Sequence, residues 1–223
     1  MLSQEEIWAR GEADAWFRRA GDSWLQPASV DDPVLAALDA VELPDKGRLL
    51  DVGGATGRVG AGFLLLRPDW CVDVLEMSAE AIAAGRKAFP KLRFQRGSIT
   101  DHDFSPSSYN VVMVCAVLSL IERSLLSCAI ANTDTALSDR GLLVLHDFDP
   151  AYPRANCYAH YAGLFTYKQD YASCYLALKT YHLEYRRSCI KGSASNPFDP
   201  YDRQWMTAVL RKDLRNCYCQ DIT

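Results

Sequence analysis

The run from Leu49 to Arg58, LLDVGGATGR, restricts what this chain can fold into more than any other stretch. Lys46 and Gly47 turn into it, and the aliphatic Leu49, Leu50 and Val52 make a short buried strand. Gly53, Gly54, Ala55, Thr56 and Gly57 then follow as a glycine loop. From Arg58 to Leu66 apolar residues recur at helical spacing, so the loop opens a helix and a ligand would sit at the helix N-terminus. Glycine suits that place because a Cβ would hold a ligand off the backbone, and because such a turn can demand positive φ.

A second signal lies 25 residues beyond Asp51. Cys71 to Leu75 (CVDVL) reads as the next strand and ends on Glu76, where a nucleotide-binding sheet places the acid that grips ribose hydroxyls. Asp51 closes the first strand ahead of the glycines. A dinucleotide fingerprint is G-x-G-x-x-G, whereas this chain offers D-x-G-x-A-x-G. That spacing resembles the first motif of class I S-adenosylmethionine-dependent methyltransferases, with Ala55 where the family commonly has a second glycine.

From Gly47 onward strands and helices alternate. Strands are expected at Arg48 to Val52, Cys71 to Glu76, Leu92 to Gln95, Tyr109 to Cys115 and Leu142 to Asp147. Helices are expected at Arg58 to Leu66, Ala79 to Ala88 and Ile121 to Leu137. The uninterrupted run VVMVCAV points to strands covered on both faces, hence a parallel sheet between helix layers. Ligands of such sheets bind beyond the carboxyl ends of the strands.

The flanks differ. Gln4 to Ala20 reads as an amphipathic helix with Ser3 as N-cap, and Val34 to Val41 as a second helix ended by Pro44. Residues 151–178 form a Tyr-rich insert read as helical. Tyr181 to Ile190 and Gln204 to Arg211 alternate as two closing strands, one of them antiparallel, joined by a loop with Gly192, Asn196, Pro197 and Pro200. The expected organisation is one domain: residues 1–45 a helical cap or lid, 46–150 the ligand-binding core, and 151–223 the aromatic insert with the closing strands. The resemblance implies a Rossmann-like α/β fold with a mostly parallel seven-stranded sheet.

The likeness extends over about residues 47–148 and implies a cofactor, S-adenosylmethionine. Beyond Asp51 and the loop residues Gly53, Gly54, Ala55 and Gly57, it places the ribose on Glu76 and the adenine between Met77 and Ile99. Gly97, Ser98 and Ile99 correspond to the family's adenine-side turn, with Ser98 replacing an acid often found there. YNVVMVCAVLSLIE is similar to the family's fourth strand, so backbone near Cys115, Ala116 and Val117 would meet the methionine end, and Asp51 would reach its ammonium. ALSDRGLLVLHDF looks like the turn into the fifth strand. HYAGLFTYKQDY and DPYDRQWMTAVLRK resemble segments of small bacterial methyltransferase-like proteins.

Composition narrows the partners. A net charge of −4 argues against a nucleic-acid surface, which needs clustered Lys and Arg. The pairs Arg18–Arg19 and Arg186–Arg187 read as solvated or ion-paired faces. No apolar run is long enough to span a membrane, and the opening MLSQEEIWARGEADAW lacks the apolar core of a signal peptide, so a cytoplasmic location is expected. The eight cysteines have no C-x-x-C pair and read as reduced thiols acting as small hydrophobes. Oligomeric state, including a homodimer, stays open.

Methyl transfer from a sulfonium is an in-line displacement that rests on positioning. The sulfonium is a cation without a hydrogen to donate, so aromatic rings of the insert, among them Tyr167 and Tyr171, could face it. For moving a proton the candidates are His146 and Asp147 at the end of strand five, then His160, Tyr167 and Lys168. His146 with Asp147 and Asp149 bears a loose likeness to metal-assisted O-methyltransferases, but the spacing is not diagnostic and no metal is expected. The first reading is methyl transfer to a small-molecule acceptor. Two alternatives stand beside it: cyclisation of the methionyl chain to azetidine-2-carboxylate with release of methylthioadenosine, and a non-catalytic cofactor-binding partner subunit.

Overall fold

The aliphatic runs become strands because both of their faces are covered. In a computed structural model, which describes residues 2–190 and 204–218 (the Asp22 side chain excepted), nine strands form. They are β1 (Arg48–Val52), β2 (Cys71–Glu76), β3 (Arg93–Arg96), β4 (Tyr109–Cys115), β5 (Leu137–Phe148), β6 (Arg154–Cys157), β7 (Phe165–Lys168), β8 (Tyr181–Ile190) and β9 (Gln204–Lys212). Seven make one sheet in the order β3-β2-β1-β4-β5-β9-β8, while β6 and β7 pair as a separate ribbon. Contacts from β3 to β5 are all parallel. Strand β9 runs antiparallel to both β5 and β8, so it alone is reversed, as expected of one closing strand.

Alternate residues of the central strands feed opposite cores. Leu50, Val112, Val114 and Leu143 face α6 (Leu126–Ala136) and α7 (Ala172–Leu176). Leu49, Val111, Met113 and Val144 face the layer of α3 (Pro33–Asp39), α4 (Arg58–Leu66) and α5 (Ala79–Ala88). Each such aliphatic side chain contributes about 1.5–3 kcal/mol of burial, and that two-sided burial is what makes the runs continuous.

The N-terminal segment lies over the carboxyl ends of the strands. The helix α1 (Gln4–Ile7) passes through a π-helical turn at Trp8–Glu12 into α2 (Ala13–Ala20). Ser3 caps it by accepting the Glu6 amide, and Glu6 returns the bond to the Ser3 amide. A third hydrophobic cluster, with Trp8, Ala13 and Leu164 at its centre and Met77, Leu120 and Tyr158 around it, seats this segment against the insert.

Four expectations need correction. Residues 151–178 are mainly the β6–β7 ribbon, with only α7 helical: Phe165, Thr166 and Tyr167 favour a pleated surface, and Gly163, at φ +92°, makes the turn ahead of them. The helix expected at Ile121 to Leu137 starts at Leu126, because Leu118–Leu120 and Arg123–Leu125 form tight 3₁₀ turns held by Arg123 on the Leu118 and Ile121 carbonyls. Strand five starts earlier, at Leu137, and reaches Leu142 through an irregular register opposite β4. The described cysteines are free thiols, but Cys71, Cys128, Cys157 and Cys189 are exposed and do not act as core hydrophobes. The loop with Gly192, Asn196, Pro197 and Pro200, the start of DPYDRQWMTAVLRK, and Cys219 lie outside the described residues.

Candidate functional site

Where β1 ends, the chain turns through three left-handed residues. Gly53 has φ +63°, Ala55 φ +51° and Gly57 φ +79°, and Gly57 starts α4. The Gly53 amide donates to the Leu75 carbonyl (2.7 Å) and Gly57 to Gly54 (2.7 Å). A Cβ on Gly53 would run into Val117 Cγ2, so the loop after β1 lies against the turn after β4. These strands neighbour each other where the strand order reverses, which is where such sheets bind ligands. Trp24, ahead of α3, takes the Thr56 hydroxyl on its carbonyl and pins the loop from outside.

Asp51 sits beneath this loop. It is 2% exposed, a Cβ on Gly54 would fall 2.6 Å from its Oδ2, and that oxygen has no hydrogen-bond partner. Burial pushes its carboxyl up to about 7, and the nearby Gly60 amide offsets part of that rise. Glu76, at the end of β2, accepts the amides of Ala55 (2.9 Å) and Ser78 (2.7 Å). Burial raises it above the usual carboxylate range against those bonds.

The adenine-side turn follows β3. The Gly97 amide donates to the Glu76 carbonyl (3.1 Å), Ser98 is buried, and Ile99 is core, its carbonyl capped by Asn132 (2.7 Å). Met77 is half-buried under the N-terminal segment. After β4, Cys115 is half-buried and Ala116, at φ +58°, donates its amide to the His146 carbonyl (2.8 Å). Gly53, Gly54, Ala55, Gly57, Glu76, Gly97, Ser98, Cys115, Ala116 and Val117 are thus gathered along one edge of the sheet.

The candidate catalytic residues divide. His146 is buried at the end of β5, with Nδ1 2.8 Å from Thr207 Oγ1 and its ring beside Trp205. Asp147 is buried, accepts the Ser119 amide (3.2 Å) and the Phe148 amide (2.8 Å), and is pushed up to about 6 by burial. Tyr171 is in the core. Its hydroxyl donates to the Tyr167 carbonyl (2.5 Å) and accepts from Arg123 (3.1 Å), and burial raises its phenol. Tyr167 lies under the Arg123 guanidinium at 4.3 Å. Lys168 is buried with its ammonium 4.4 Å from the Phe148 ring centre. His160 is exposed near the ribbon's turn, against Tyr158, and joins none of the others. Asp149 is committed to Arg186, Ser188 and Gln204. Arg18 and Arg19 pair with Glu80 and Glu12.

Three residues at this edge carry no motif. Gln4 donates to the carbonyls of Leu120 (2.5 Å) and Phe165 (2.9 Å) and accepts the Phe165 amide (3.1 Å). Its neighbour Glu5 accepts the hydroxyls of Ser98 and Thr100. Arg123 ties the turn after β4 to the insert. Their partners lie far along the chain, so amphipathic spacing alone could not single them out.

Residues 49–141 match the family model of a methyltransferase domain. The fold is that of the class I S-adenosylmethionine-dependent methyltransferases. Solved structures with this fold include a 1,6-didemethyltoxoflavin N1-methyltransferase from Burkholderia thailandensis with bound 1,6-didemethyltoxoflavin and S-adenosylhomocysteine. It has 14% identity and a TM-score of 0.69 over 96% of this chain and 92% of that one. An S-adenosylmethionine-bound amino pentose methyltransferase from Micromonospora echinaspora has 19% identity and a TM-score of 0.57, over 89% and 95%. The N-methyltransferase NodS from Bradyrhizobium japonicum, in complex with S-adenosylhomocysteine, has 18% identity and a TM-score of 0.58, over 82% and 90%. No curated protein sequence matches the chain. Among the described residues no helix is long and apolar enough to cross a membrane.

Proposed function

We propose that this chain binds S-adenosylmethionine at the β1–β2–β4 edge and transfers its methyl group to a small molecule, in the cytoplasm. The observation that carries the reading is the joined pair of Glu76 and the glycine loop, a carboxylate and a bare backbone held together beside the sheet's switch point. The residues suit the ligand. Glu76 offers a carboxylate to a ribose diol, and the orphaned, buried Asp51 oxygen lacks a donor that an ammonium would supply. Gly53 and Gly54 leave the backbone open to close approach. Structures with this fold hold S-adenosylmethionine or its demethylated product, and two of them are methyltransferases of 1,6-didemethyltoxoflavin and of an amino pentose.

When bound, S-adenosylmethionine supplies an electrophilic methyl group. The chain's part is then to align the acceptor, an effect that contributes up to roughly 7–11 kcal/mol in well-oriented systems, and to take the acceptor's proton. His146 is the group we assign to that proton, since it lies near the end of β5, its carbonyl accepts the Ala116 amide and its ring is oriented by Thr207. Tyr171 and Arg123 serve to hold the insert in place.

The test is calorimetry with S-adenosylhomocysteine, followed by incubation with S-adenosylmethionine and panels of small amines and hydroxyl compounds read by mass spectrometry. A methylated product and S-adenosylhomocysteine are expected. Absence of binding rejects the reading, and methylthioadenosine formed without any acceptor replaces it with cyclisation.

A further inference from the structure

We infer that Glu5, carried in by the N-terminal helix, recognises the 6-amino group of the ligand's adenine. The inference rests on the nucleoside site proposed above and adds a residue from outside the sheet to it. Adenine presents an amine donor that must find an acceptor when it is taken out of water. At the turn after β3 the chain offers Ser98, which is neutral, and Asp101, which is exposed and already accepts the Ser98 amide at 3.3 Å.

The charge at this turn comes from elsewhere in the chain. Glu5 Oε1 accepts both the Ser98 hydroxyl and, at 2.8 Å, the Thr100 hydroxyl, from two residues each 8% exposed. Two donors on one oxygen fix the carboxylate's orientation and leave the second oxygen to take a further donor. The helix does not need Glu5 as an anchor. Gln4 is bonded to Leu120 and Phe165, and Asp14 accepts the Ser78 hydroxyl (2.6 Å) and the Glu80 amide (3.1 Å). The two hydroxyls lie 2.9 Å apart, so Glu5 brings a half-buried charge to them at a desolvation cost that its two hydrogen bonds offset in part. An amine donor on the second carboxylate oxygen would add to that offset. A 6-oxopurine would instead turn an acceptor oxygen towards the carboxylate and be rejected.

The full chain, its Glu5→Gln and its Glu5→Ala variants should be titrated calorimetrically with S-adenosylhomocysteine and with S-inosylhomocysteine, after melting curves show that each is folded. The unaltered chain is expected to prefer the adenosyl compound by about tenfold to a hundredfold, the range of one hydrogen bond to a charged group. In Glu5→Gln, whose amide can turn its donor to a 6-oxo group, the preference should shrink to within about threefold. Glu5→Ala should weaken the adenosyl compound by about tenfold and the inosyl compound hardly at all. An unchanged preference in both variants, or an equal loss for both ligands, overturns the inference and leaves Glu5 a clasp for the helix. If the unaltered chain binds neither compound, the nucleoside site itself fails and the inference with it.

Discussion

Glu76 Oε2 accepts the Ala55 amide at 2.9 Å, so the acid that ends β2 and the loop that ends β1 form one unit. Its other oxygen accepts the Ser78 amide at 2.7 Å, at the start of α5. Replacing Glu76 with Gln turns one acceptor into a donor facing a backbone N–H, and Glu76→Ala removes both acceptors. Affinity for S-adenosylhomocysteine should fall by about tenfold in the first and about a hundredfold in the second. Each buried amide left unpaired costs about 1–3 kcal/mol of stability. Unchanged affinity in calorimetry would reject Glu76 as the ribose acid.

Gly53 carries two demands at once, a φ of +63° and contact with Val117. A Cβ there is strained by the backbone and also overlaps the Val117 methyl. Gly53→Ala should lose about 2–4 kcal/mol in urea unfolding. Adding Val117→Ala should return only the part due to overlap, since the backbone strain remains. Full recovery in the double variant would show that φ at this position costs nothing.

Asp51 links pH to both stability and binding. Its folded carboxyl, pushed up to about 7 by burial from an ordinary 3.8, holds its proton more tightly than the unfolded chain does. Stability from this group therefore falls as pH rises from about 4 to about 7 and levels off above. Asp51→Asn should flatten that part of the profile. The ammonium proposed to lie beside Asp51 would favour the charged form, so binding at pH 6 should release a proton and tighten as pH rises towards 7. Titrations in two buffers of different ionisation heat measure the release, and identical apparent enthalpies would contradict it.

The core strands were legible in the sequence because their burial is two-sided. VVMVC has no polar break, and glycines or charges bound LLDV and CVDVL, so β1, β2 and β4 fall where expected. The strand ends were legible for the same reason: Gly53, Glu76 and Ala116 each sit at one. The insert was not. Its tyrosines suggest a helix face by count, yet only Tyr171 and Tyr175 enter the core, while Tyr152 and Tyr161 are exposed and FTYK pairs as a strand. Nor was the attachment of the N-terminal segment readable, since Gln4 meets Phe165 across 161 residues and Glu5 meets Ser98 across 93. Such partners obey no local period, so only the assembled chain brings them together.

Gln4 should decide whether the N-terminal helix and the insert move together. Its side-chain amide pairs with both the N–H and the C=O of Phe165, as a neighbouring strand would, and also reaches the Leu120 carbonyl. Gln4→Ala leaves these backbone groups unpaired and should raise hydrogen exchange at the Phe165 amide, and across residues 2–20, by about tenfold to a hundredfold. Amides of β4, held by β1 and β5 on either side, should exchange as before. Gln4→Glu is the sharper variant. It keeps the shape and the acceptor for the Phe165 amide but faces two carbonyls with no donor, so exchange should rise further than in Gln4→Ala. If Gln4→Glu instead protects as well as Gln, the bonds to Leu120 and the Phe165 carbonyl do not hold the two segments together, and the helix closes over the sheet by the packing of Trp8 and Leu164 alone.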